Sequence, residues 1–222
     1  MRVRKRIGLR ARPRSGRRVL AYWLVLIQVM SVASCTGTVE VPDSQEAVPL
    51  FRQIDAKVAK SFATKARLTE VETALFRAEV GAISVGRFDQ AFDAMFTETT
   101  VAPNWPPWQR VDMNHVDGIV QLEEAIADIE LGNDAGIPDL VQVTYKACLY
   151  DNRANVVQCW DSSASQAHKR NVGECLTDMS VCIGRQLEIT VRDAVARMMV
   201  QIENDPVVRT WASQQATRET RP

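Results

Sequence analysis

Apolar residues return at three- and four-residue steps along most of the chain, and that period predicts helices. Phe51, Ile54, Val58 and Phe62 mark one helix face over about 45–64, and Leu68, Val71, Leu75 and Ala78 mark a second over about 67–84. A third helix begins after Gly86 with Phe88, Phe92, Met95 and Phe96. The stretch VAPNWPPWQRVDMNHVDG then breaks the pattern with three prolines and two tryptophans, a loop by composition. Ile119, Leu122, Ile126 and Ile129 restore helical spacing up to Gly132.

The clearest periodicity comes late. Leu176, Met179, Ile183, Leu187, Val191, Ala194, Met198 and Ile202 advance in steps of three and four, one long amphipathic helix over about 174–204. Asn204 and Asp205 end it, and Pro206 stands at the first position of a short last helix. Residues 141–160, VQVTYKACLYDNRANVVQCW, are less clear. Their β-branched and aromatic density around a polar DNRAN break suits a hairpin. Val141, Tyr145 and Cys148 also share a helical face, and the helical surroundings favour that reading. The expected fold class is therefore mainly α, with α+β containing one hairpin at about 141–160 as the alternative.

The start of the chain has a different pattern. Residues 1–18 contain nine Arg or Lys and no acid, and an apolar run from Val19 to Ala33 follows. A permanent membrane span needs about 20 apolar residues, so this run is short for one. A basic region, an apolar region of this length and small residues at its end form the layout of a secretory signal peptide. The basic residues hold that end on the cytoplasmic side during insertion.

Two cleavage sites compete. SVA at 31–33 would release a soluble protein beginning near Ser34. VASC at 32–35 resembles the lipobox of bacterial lipoproteins, and the odd total of five cysteines favours it, since modifying Cys35 leaves four. The resemblance implies a diacylglycerol on Cys35, which becomes the new N-terminus, and three acyl chains, beyond the two signals that stable anchoring needs. Thr36 stands where many inner-membrane lipoproteins have Asp, which by the same resemblance implies the periplasmic face of the outer membrane. The expected organisation is a signal peptide at 1–34, a lipidated N-terminus and tether at 35–45, and one periplasmic helical domain at 46–222.

Removing the leader changes the charge balance. The chain has 27 basic and 27 acidic residues; losing nine basic ones leaves 18 against 27, a net −9. That argues against nucleic acid and against a polybasic grip on anionic lipid.

Cys148, Cys159, Cys175 and Cys182 read as two disulfides in an exported protein. Spacings of eleven, sixteen and seven residues match no ordinary zinc pattern, and His115 and His168 are solitary, so no metal and no cofactor is expected. On an intact helix Cys175 and Cys182 are about 10.5 Å apart, beyond the roughly 7 Å that a disulfide spans. In the helical reading each therefore reaches back to Cys148 or Cys159, and if 140–160 runs antiparallel to the long helix, Cys159 pairs with Cys175 and Cys148 with Cys182. The hairpin reading pairs Cys148 with Cys159 across the DNRAN turn and leaves Cys175 to Cys182.

VGRFDQAFDAMF followed by APNWP resembles the second half of a tetratricopeptide repeat, with Gly86, Phe88, Ala91 and Pro103 at that spacing. Glu79 departs from it and no second copy follows, so an ordinary helical hairpin is preferred. Trp105 and Trp108 in NWPPW form the candidate binding platform, flat faces on a proline-stiffened segment, with packing over the core as the plainer alternative. No Gly-x-Ser-x-Gly elbow, His-Glu-x-x-His pair or phosphate loop occurs, and no catalytic residue is assigned. The sequence thus points to a non-catalytic envelope binding or assembly protein with a protein partner, an immunity protein being one form of it. The alternative is a cell-wall hydrolase using two of Glu70, Glu72, Glu79, Glu123 and Glu124.

Overall fold

The computed structural model describes residues 37–39, 52–73, 75–102, 115–132, 137–169 and 179–219. All of them belong to the second of the two units into which the chain divides, Gly37–Pro222. Cys35, Trp105, Trp108, Cys175 and the leader lie outside the described residues.

The elements are β1 (Gly37–Thr38), β2 (Ile54–Phe62), α1 (Thr64–Arg67), β3 (Val71–Glu72), β4 (Phe76–Ala78), α2 (Val80–Met95) and β5 (Phe96–Val101). There follow β6 (Gly118–Glu130), β7 (Asp139–Asp151), β8 (Val156–His168), α3 (Met179–Asn204) and α4 (Pro206–Glu219). A five-stranded sheet has the order β5-β2-β6-β7-β8, and a small sheet has the order β1-β4-β3. β2 is parallel to both β5 and β6, whereas β6, β7 and β8 form an antiparallel meander. The mainly-α expectation is overturned. Of the α+β alternative only the hairpin at about 141–160 is present, as β7 and β8, and it is part of a five-stranded mixed sheet that the alternative did not contain.

The two long segments mistaken for helices show why. Ile54, Val58 and Phe62 are four apart, and four residues return a side chain to the same face of a strand as well as of a helix. In β2 the inward set is Ala56, Val58, Lys60 and Phe62, all buried, at a period of two. In β6 the register slips between Leu122 and Glu124, so one extra residue enters the strand there. Val120 and Leu122 before the bulge, and Ala125, Ala127 and Ile129 after it, face one side. The inserted residue turns an even spacing into the seven-residue step from Leu122 to Ile129 that imitates two helical turns.

The expected helix at 67–84 is instead the end of α1 followed by β3 and β4, and two of its supposed inward residues, Leu68 and Leu75, are 69% and 54% exposed. α2 begins at Val80, six residues before Gly86, and Gly86 sits mid-helix with open space around it. A helix running straight into a strand replaces both the repeat resemblance and the helical hairpin. The late periodicity is found as expected within the described residues: Ile183, Leu187, Val191, Ala194, Met198 and Ile202 of α3 are all buried, and Pro206 opens α4.

One main core lies between the sheet and a helical layer. Val141, Val143, Tyr145, Ala147 and Leu149 of β7 meet Phe88 and Phe92 of α2 and the apolar stripe of α3. The Phe88 and Tyr145 rings sit edge to face at 5.0 Å, and Tyr145 shares a 2.7 Å hydrogen bond with Ser84. Arg87 clamps α2 to α3 through Glu188 at 2.7 Å. Trp160 of β8 donates to Asp205 at 2.9 Å, and the other oxygen of Asp205 caps α4 by accepting the Val207 N–H. Gly81 is required at the start of α2, because a Cβ there would lie 2.2 Å from the Arg67 carbonyl oxygen.

Candidate functional site

The helices cover one face of the five-stranded sheet, so side chains that alternate away from them build the opposite face. Register places Ser61 beside Gln121, Gln121 beside Cys148 and Cys148 beside Cys159, a row crossing β2, β6, β7 and β8. Cys148 and Cys159 are joined in a disulfide with a Cα separation of 4.1 Å. This corrects the preferred pairing of each with a cysteine on the long helix; the hairpin pairing is the one present. Cys182 is also disulfide-bonded.

Ser61 and Gln121 are the unusual members of the row. They are 1% and 0% exposed. The Ser61 hydroxyl and both polar atoms of the Gln121 amide have no hydrogen-bond partner. A buried polar group left unpaired costs roughly 1–3 kcal/mol, so native folds keep few of them without a use.

On one side of this row lies an apolar one. Ala59 pairs with Ile119, and with Ala102 and Val116 they form a small cluster separate from the main core. The Ala102 N–H donates to the Lys60 carbonyl and the Asp117 N–H to the Lys57 carbonyl, both at 2.8 Å. The Asp117 side chain accepts the Lys57 N–H in return. The segment containing NWPPW therefore leaves and rejoins the fold next to the Ser61–Gln121 row, although Trp105 and Trp108 themselves lie outside the described residues. On the other side the rows turn charged, with Glu124 beside Lys146 and Lys146 beside Asp161.

The bulge in β6 brings Glu123 to the Tyr150 hydroxyl at 2.5 Å. Burial and the hydrogen bond and charge of Glu123 all push the Tyr150 hydroxyl well above the ordinary phenol range. Tyr150 thus stays a protonated donor at any physiological pH. Three of the acids considered for hydrolysis are engaged with neighbours: Glu123 with Tyr150, Glu70 with Arg77 at 2.6 Å, and Glu124 with Lys65 at 3.2 Å. They sit on strands or connections, not on the helices expected for them. His115 and His168 flank β6 and end β8, and among the described residues no three potential ligands cluster to hold a metal.

Sequence reasoning named the cysteines and Glu123 but missed Ser61, Gln121 and Tyr150. The available signal was weak: Gln121 interrupts the apolar run IVQL, and Ser61 follows Lys60 in VAKSF.

No known protein family matches the chain, and no curated protein matches it. Among solved structures, it is similar to a minor lipoprotein from Acinetobacter baumannii at 11% identity and a TM-score of 0.39, over 67% of this chain and 92% of that one. It is similar to an uncharacterized lipoprotein B from Nitrosomonas europaea at 11% identity and a TM-score of 0.41, over 77% and 93%. A putative lipoprotein from Caulobacter crescentus gives 10% identity and a TM-score of 0.35, over 70% and 90%. Likeness at this level is a partial similarity in the course of the chain.

Proposed function

We propose that the mature protein is a lipid-anchored, non-catalytic binding or assembly protein of the bacterial envelope, held at the periplasmic face of the outer membrane. It engages a protein partner through the sheet face opposite the helices and the adjoining 103–114 segment. The observation that supports this is the tie of both ends of the NWPPW segment to β2, through Ala102 on Lys60 and Asp117 on Lys57. Proline-stiffened tryptophans offer contact area at low entropic cost. The disulfides agree with an oxidising compartment and hence with export. A net charge of −9 after the leader suits a basic partner, including a toxin neutralised in the periplasm.

Crosslinking in intact envelopes, followed by capture of the full chain, tests the reading. One stoichiometric protein partner is expected, lost in the Trp105→Ala, Trp108→Ala double variant with the melting temperature nearly unchanged. Muropeptide products released by the purified protein would overturn it in favour of hydrolysis. The anchor is tested separately by Cys35→Ser, which should leave an uncleaved precursor or a protein missing from the outer-membrane fraction.

A further inference from the structure

We propose that the turn between β3 and β4 rests on the bilayer, with Leu75 inserted into its interface, so that the domain is held at the membrane in a fixed orientation. This rests on Cys35 being the lipidated residue.

The observation behind it is the position of β1. Gly37–Thr38 falls in the stretch expected to be a free tether, yet it pairs in parallel with β4, Gly37 against Phe76 and Thr38 against Arg77. The Val39 N–H extends the ladder by donating to the Arg77 carbonyl at 2.9 Å, and the Val39 side chain is buried. One residue, Thr36, separates Cys35 from Gly37, so the two steps between them reach about 7 Å at full extension. Paired strands lie about 4.8 Å apart. The acylated residue is therefore confined within roughly 12 Å of Phe76, whose preceding residue is Leu75.

Leu75 is built to project. Thr73 closes the turn: its N–H donates to the Phe76 carbonyl at 2.9 Å, and its hydroxyl accepts the N–H groups of Leu75 and Phe76 at 3.3 and 3.1 Å. Phe76 points into the core at 1% exposure while Leu75 stands 54% exposed. The charge beside the turn is net acidic, with Arg77 among Glu70, Glu72 and Glu79. Arg77 is paired with Glu70 at 2.6 Å and lies opposite Glu72 in the ladder. An exposed leucine beside the strand end that leads to a lipidated Cys35 is placed to meet lipid before any other occupant. The polar interface of each leaflet is only about 5–8 Å deep, so the confined turn can reach it.

The test uses the purified lipidated protein in phosphatidylethanolamine/phosphatidylglycerol vesicles with brominated acyl chains. Leu75→Trp is compared with wild type and with Val156→Trp, a control at an exposed site at the start of β8. The tryptophan added at position 75 should lose most of its emission to bromine and shift to the blue, and the one at 156 should do neither. Because Leu75 is exposed, the thermal midpoint should match wild type. A vesicle-bound, lipidated Leu75→Trp protein whose added emission is unquenched overturns the proposal and leaves the anchor standing. Equal quenching at 75 and 156 overturns it too, since it removes the fixed orientation. A protein crosslink from position 75 in envelopes, without quenching, assigns the turn to a partner and not to lipid. Absence of lipid on wild-type Cys35, seen by mass spectrometry, removes the anchor and this inference with it.

Discussion

Cys148 on β7 and Cys159 on β8 stand directly opposite each other, and their disulfide closes the hairpin over its DNRAN turn. Non-reducing peptide mapping should recover the two as one linked peptide. The Cys148→Ser, Cys159→Ser double variant should lose roughly 2–4 kcal/mol in denaturant melts, the usual effect of releasing a loop of this size. Recovery of Cys148 linked to Cys182 would restore the helical reading of this region.

Gln121 gives a prediction of opposite sign. Its amide is buried and satisfied by nothing, so Gln121→Leu removes an unpaired donor and acceptor from the interior. Stability should rise by about 1–3 kcal/mol in chemical denaturation. Loss of stability would show that the amide is held by an unseen group in the free protein.

Lys60 is buried on β2, with its ammonium 2.6 Å from Asp89 and 2.7 Å from Asp93 on α2. Burial opposes the charge on both Lys60 and Asp93. The hydrogen bonds nonetheless win, raising Lys60 above its ordinary 10.5 and lowering Asp93 below its ordinary 3.8, with Thr99 helping to hold Asp93. The Asp93 contribution is complete above 3.8 and is lost as the pH falls through the depressed folded value. The Lys60 contribution is complete below 10.5 and is lost as the pH rises through the raised one. Melts at decreasing pH should therefore show a loss of stability in the acid range that is smaller in Asp93→Asn.

The same cluster predicts an asymmetry between its members. Asp89→Asn with Asp93→Asn strands a buried ammonium and should cost about 1–3 kcal/mol, less than a fully buried pair would because both carboxylates are half-exposed. Lys60→Met leaves two carboxylates that water can reach and should be close to neutral. Chemical denaturation of the two variants decides it.

Tyr145→Phe should cost only about 0.5–1.5 kcal/mol, because the Ser84 hydroxyl keeps its 2.7 Å bond to the Val80 carbonyl when the phenol is removed. Ser84→Ala leaves the buried Tyr145 hydroxyl unpaired and should cost more. Paired melts of the two variants, read together, test that order.

The sequence alone settled what depends on near neighbours. The buried stripe from Ile183 to Ile202 repeats often enough that no other period accounts for it, and Asp205-Pro206 encodes both a cap and a helix start. The near-symmetric placement of Cys148 and Cys159 about a polar break, two residues before it and three after, held the hairpin open as an alternative. Only the tertiary structure decided between helix and strand at 54–62 and 118–130. A spacing of four suits both, and the bulge at Glu123 shifts the strand period into helical phase. The Ser61–Gln121–Cys148–Cys159 row was beyond reading for a related reason. Its members come from four strands spread over about a hundred residues, and each pairing is fixed by sheet register, which no local pattern specifies.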